Sequence, residues 1–163
     1  AASDVYKRQD VVQRVLKEFW GVKHRIEFVR DLHGVLYYND SKATNPDAAI
    51  RGIGSMNRKT LLIGGGYDKN LEFDAWIESF DGKVKCLLLI GQTKDKIAVC
   101  ARKHGFENIV CCDTLNEAVN ICYRLAKPGE AVLLSPACAS WGDFKDYTQR
   151  GELFRQYVME LPE

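Results

Sequence analysis

The 163-residue sequence has no excess of charge of either sign: 23 lysines and arginines stand against 22 aspartates and glutamates. That balance supports neither a basic stripe for nucleic acid nor an acidic tail. No apolar run is long enough to span a bilayer, and no charged segment precedes an apolar stretch in the manner of a signal peptide. Internal repeats and low-complexity tracts are absent too. Neither the phosphate loop GxxxxGK[ST] nor the dinucleotide pattern GxGxxG occurs. The aromatics Trp20, Trp76, Phe80, Phe144, Tyr147, Phe154 and Tyr157 have core or helical spacing, not a base-stacking rhythm.

Cysteine is present, but the short paired spacings of a zinc site are not: the six are Cys86, Cys100, Cys111, Cys112, Cys122 and Cys138. A chain of this size with alternating strand and helix patterns does not need disulfides, so buried thiols in a reducing cytoplasm are expected. The three histidines, His24, His33 and His104, are scattered. Cys138 therefore has no local base and reads as a packed small residue, not a nucleophile. His104, before Gly105, reads as a helix cap or a solvent-facing side chain in preference to a metal ligand.

The periodicity present is that of an α/β domain. Residues 1–9 have little pattern and read as a non-native or disordered leader. Val11, Val12, Val15, Leu16 and Phe19 recur at helical spacing until Gly21, which makes residues 10–20 a helix and places a boundary at residues 21–24. Residues 25–30 and 35–39 flank Asp31-Leu32-His33-Gly34 as a β-hairpin. Further strands are expected at 60–63, 84–90, 108–112 and 131–134, with 84–90 in the centre. Helices are expected from Asn45-Pro46 onward and over 71–80, 94–103, 115–125 and about 151–161. Continuous apolar strands separated by helices of about ten residues imply a mostly parallel sheet covered on both faces, made mixed by the hairpin.

If the strands are parallel, the loops after Tyr38, Ile63 and Leu134 emerge at one edge and bring Lys42, Thr44, Lys69 and Ser140 to a common crevice. Two ammonium groups and two hydroxyls fit a small carboxylate or phosphate ligand. Each loop taken singly has a plainer reading: Gly64-Gly65-Gly66 can be a turn that holds two elements together, and Ser135 to Gly142 can be packing. Asp40 suits either a turn or recognition of a ribose or ammonium group.

Tyr38-Asn39-Asp40-Ser41-Lys42-Ala43-Thr44-Asn45-Pro46, Gly64-Gly65-Gly66-Tyr67-Asp68-Lys69, Leu134 to Ser140, Phe144-Lys145-Asp146-Tyr147 and Arg150-Gly151-Glu152-Leu153-Phe154 occur in this order. Together they closely resemble the C-terminal domain of the D-glutamate-adding Mur ligases, ATP-dependent enzymes of bacterial peptidoglycan synthesis. The likeness covers about residues 11 to 163. It implies a Rossmann-like three-layer domain at 24–163, preceded at 10–23 by the last helix of a central ATP-binding domain and a linker. It also implies that Lys42, Thr44, Lys69, Ser140 and the backbone near Trp141 hold the carboxylates of D-glutamate, with the ring of Tyr147 alongside. Asp40 would meet the nucleotide ribose, and Arg25 would reach the ATP phosphates. Trp141 and Tyr147 stand where leucine and phenylalanine are often found.

The family reaction phosphorylates UDP-N-acetylmuramoyl-L-alanine with ATP and Mg2+ in the cytoplasm, and the amine of D-glutamate attacks the acyl phosphate. Lys69 and Arg25 would act by positioning. With no phosphate loop in the sequence, this polypeptide alone is expected to lack ligase turnover and to bind its ligands weakly. The competing class is a stand-alone α/β binding or signalling module, in which Lys69 would be irrelevant to glutamate.

Overall fold

In a computed structural model, residues 22–163 are described; the leader expected at 1–9 and the helix expected at 10–20 lie outside them. Six strands form one sheet: β1 (Glu27–Leu32), β2 (Val35–Asn39), β3 (Thr60–Gly64), β4 (Val84–Leu89), β5 (Ile109–Cys111) and β6 (Ala131–Leu134). Their order across the sheet is β1-β2-β6-β3-β4-β5. Among these six strands only the β1–β2 pairing is antiparallel. The hairpin turns on His33 and Gly34, with φ of 54° and 83°, the positive pair that matches strand twist in a two-residue loop.

The helices are α1 (Pro46–Gly54), α2 (Asp74–Glu78), α3 (Lys94–Lys103), α4 (Leu115–Leu125) and α5 (Tyr147–Met159). The spans expected for α3, α4 and β6 agree residue for residue. Asn45 caps α1 by accepting from the Ala48 N–H at 2.9 Å, and Pro46 takes the first turn, where its missing N–H costs nothing. Replacing Asn45 with Ala is expected to cost about 1 kcal/mol, measured by urea denaturation. Thr114 caps α4 at the Glu117 N–H (3.0 Å), while the Glu117 carboxylate returns to the Asp113 N–H (2.6 Å). Asp146 and Gln149 close α5 in the same way, which is why that helix begins four residues before Gly151.

Two expectations need correction. Strand 84–90 is not central: β6 and β3 hold the middle, and β4 lies next to the short edge strand β5. Its long apolar run reflects helices covering both of its faces. The helix expected over 71–80 shrinks to Asp74–Glu78, because Phe73 at its start offers no side-chain cap.

Side chains alternate between two cores. Leu62, Leu87, Leu89 and Leu133 pack with Ile53, Trp76, Phe80 and Ile97 on the side of α1, α2 and α3. Leu61, Ile63, Leu88, Val132 and Leu134 pack with Val119, Cys122, Phe154 and Val158 on the side of α4 and α5. Among the described residues no helix is long and apolar enough to cross a membrane. The six cysteines are free, and Cys111 is exposed.

A candidate functional site at the carboxyl edge of the sheet

In register, Asn39, Leu134 and Ile63 form one row across β2, β6 and β3, so the loops that follow them leave the same edge of the sheet. They are fastened to one another. The loop after β3 runs beside the loop after β6: the Gly65 N–H donates to Pro136 O and the Tyr67 N–H to Ala139 O, both at 2.9 Å. The glycines make this possible. Gly65 has φ of 96°, and a Cβ there would strike the Ile90 carbonyl; a Cβ on Gly66 would strike the Ala139 carbonyl. Thr93, a buried residue that the sequence reading passed over, accepts from the Gly66 N–H at 3.0 Å. Gly64-Gly65-Gly66 thus packs loops together and leaves Tyr67-Asp68-Lys69 as the presented part.

The loop after β2 is joined to the loop after β6 by Arg150, which extends from α5 and is fully buried. Its Nε donates to Ser41 Oγ (3.0 Å), Nη2 to Ser41 O (2.7 Å) and Nη1 to Cys138 O (3.0 Å). Ser41 Oγ donates in turn to Tyr147 O at 2.7 Å. Burial pulls the guanidinium down to about 10. This clamp is hidden at the level of sequence, because an arginine among helical polar residues reads as a solvated face.

Residues 24–26 form a strap against the same loop. The Lys42 N–H donates to His24 O at 2.9 Å, and the Ile26 N–H donates to Asp40 Oδ1 at 3.2 Å. His24 is buried; Asn39 Nδ2 donates to its Nδ1 at 2.9 Å. The strap sets Arg25 beside Asp40 and Lys42, and these three line a cavity of about 310 Å³ with Arg51 and Gly52 of α1. Asp40 is 4% exposed, and its Oδ2 accepts from Ser135 Oγ at 2.8 Å. Burial pushes its carboxyl up to about 6, opposed by the hydrogen bonds from Ser135 and Ile26 and by Arg25 and Arg51. Arg51 was not among the residues singled out in the sequence; only the turn of α1 aims it here.

Lys42 is exposed and Thr44 half-buried. Lys69 is exposed, with Nζ 4.2 Å from the centroid of the Trp141 ring, which also meets Tyr67 at 5.6 Å. Ser140 is buried immediately before Trp141. The ring of Tyr147 meets His24 edge-on at 6.1 Å. The cavity therefore gathers Arg25, Asp40 and Lys42, while Lys69 and Trp141 form a separate cluster on the neighbouring loops. Cys138 is buried with Sγ 3.4 Å from Thr93 Oγ1, and burial pushes its thiol up to about 11, in keeping with a packing role.

The model of the family described as "Mur ligase, glutamate ligase domain" matches residues 24–138. UDP-N-acetylmuramoylalanine--D-glutamate ligase of Lachnoclostridium phytofermentans is 57% identical over 152 residues, covering 93% of this chain and 34% of that protein. The chain spans about a third of the length of the curated relatives it matches. Among solved structures, UDP-N-acetylmuramate-alanine ligase of Thermotoga maritima aligns over 90% of this chain and 32% of that one, with TM-score 0.60 and 14% identity. Folylpolyglutamate synthase of Mycobacterium tuberculosis complexed with ADP covers 87% and 33%, with TM-score 0.61 and 13% identity. These two share the fold. With the family model spanning most of a sheet whose parallel strands direct their loops to one edge, the chain belongs to the Mur ligase, glutamate ligase domain family.

Proposed function

We propose that this domain serves in a full-length, ATP-dependent ligase that adds D-glutamate to UDP-N-acetylmuramoyl-L-alanine in peptidoglycan synthesis. The names of its curated relatives support that reading. The observation that carries it is the fastening of three loops at one sheet edge, with Lys42, Lys69 and Ser140 borne on them. In this reading Lys42, Thr44, Lys69 and Ser140 take the two carboxylates of D-glutamate, beside the Trp141 backbone and the Tyr147 ring. Lys69 rests on Trp141 and exchanges that contact, worth about 0.5–1 kcal/mol at an exposed site, for a carboxylate. The loops act by position: held carboxylates aim the uncharged amine at the acyl phosphate.

The cavity lined by Arg25 and Arg51 suits nucleotide phosphates, and in this reading Asp40 meets the ribose. It does not suit Mg2+. Its one carboxylate is buried and accepts a hydrogen bond at each oxygen, among three cationic side chains. In this reading magnesium is held elsewhere in the parent enzyme.

Glutamate saturation of the full-length parent and its Lys69→Ala variant tests the reading. A hydrogen bond to a charged group contributes about 1.5–3 kcal/mol, so the glutamate KM rises about 10- to 100-fold, with kcat near that of the parent. An unchanged glutamate KM would overturn the assignment of Lys69.

A further inference from the structure

Away from this edge, one group of side chains has the chemistry of a transition-metal site. Asp74 and Glu78 stand one turn apart on α2, and Cys100 and His104 one turn apart at the end of α3. The two pairs face each other. The carboxylate of Asp74, the thiol of Cys100 and the imidazole of His104 present ligand atoms all within 4.8 Å of one another. His104 Nε2 lies 2.8 Å from Asp74 Oδ1, and His104 Nδ1 lies 3.7 Å from Glu78 Oε1. A cavity of about 260 Å³, lined by Glu78, His104 and Gly105, opens beside them.

We propose that Asp74, Cys100 and His104 bind a divalent metal of the zinc class, with Glu78 behind the histidine. Thiolate, imidazole and carboxylate are the donors zinc prefers, and two anionic ligands neutralise its charge. Water completes the fourth position. A second observation separates this group from an ordinary surface ion pair. Glu78 Oε1 lies 3.7 Å from the outer nitrogen of His104, beyond hydrogen-bond range but on the side from which a carboxylate orients a ligating imidazole.

Without metal, Asp74 and His104 share a hydrogen bond. Donors around a tetrahedral zinc stand roughly 3.3 Å apart, so binding opens that contact by about half an ångström, and Cys100 releases its proton to solvent. Lys103 Nζ, 3.5 Å from Asp74 Oδ1, competes for the carboxylate, but its side chain is 73% exposed and free to swing away. The gain is local: α2 is five residues long with no side-chain cap, and the metal ties it to α3.

Titration of the protein with Co2+ tests the site. The expected result is a sulfur-to-cobalt charge-transfer band that saturates at one equivalent and is abolished by Zn2+. Cys100→Ser removes the band, whereas Cys111→Ser, at the exposed thiol, keeps it. Glu78→Gln weakens Zn2+ affinity about tenfold. Metal-free melting curves establish that each variant folds. No band, a band that survives in Cys100→Ser, or one indifferent to both His104→Ala and Asp74→Asn overturns the proposal.

Discussion

Replacing Arg150 with Met is expected to destabilise the domain by about 2–4 kcal/mol. The guanidinium makes three hydrogen bonds, to Ser41 Oγ, Ser41 O and Cys138 O, and bonds from a charged donor contribute about 1.5–3 kcal/mol each. Against them stands the cost of burying the cation, roughly 3 kcal/mol from the downward pull to about 10. The bonds win, and methionine leaves two loop carbonyls without donors. Lysine restores little, since one ammonium cannot span Ser41 and Cys138. The measurement is urea denaturation, where the midpoint falls with the slope unchanged. A midpoint equal to that of the parent would mean that the loops are held by other contacts. Because the clamp joins the loops carrying Lys42 and Ser140, the variant should also lose glutamate affinity in the full-length parent.

The second large effect is a change in pH dependence. Burial raises the Asp40 carboxyl to about 6 in the folded state, above its ordinary value near 3.9, so folding favours the neutral form. The associated stability is fully present below the ordinary value and is lost as pH rises through about 6. Near pH 8 the charged Asp40 thus costs the fold about 2–3 kcal/mol relative to pH 4. Asp40→Asn removes that dependence. Between pH 4 and pH 8 the stability of the parent should fall relative to the variant by about 2–3 kcal/mol, read from denaturation at each pH. A difference of opposite sign would show Asp40 to be stabilised in its charged form. If Asp40 meets the ribose as proposed, the same variant in the full-length parent should also turn over more slowly.

Much of the framework was legible because local rules agreed. Asn45-Pro46, Thr114 with Glu117, and the continuous apolar strands each announce their element in a few residues. What escaped depended on tertiary contact. The central position of β6 and β3 follows from crossovers, not from the hydrophobicity of a strand. The shortening of α2 follows from Phe73 being drawn into the core. At the site, strand order alone implies a shared edge for Lys42, Lys69 and Ser140. It says nothing of Arg150, whose neighbours in sequence are polar and whose partners lie 109 and 12 residues away. Thr93 and Arg51 were hidden for the same reason, as was the contact of the His104 ring with Asp74 across two helices.

The central claim is that three loops form a single grip for D-glutamate. Backbone amide signals of this domain, isotope-labelled within the nucleotide-loaded full-length parent, test it most directly during titration with D-glutamate. Signals of Lys42, Thr44, Lys69, Ser140 and Trp141 are predicted to move together along one binding curve. Shifts confined to a single loop, or lying at the opposite ends of the strands, would contradict it.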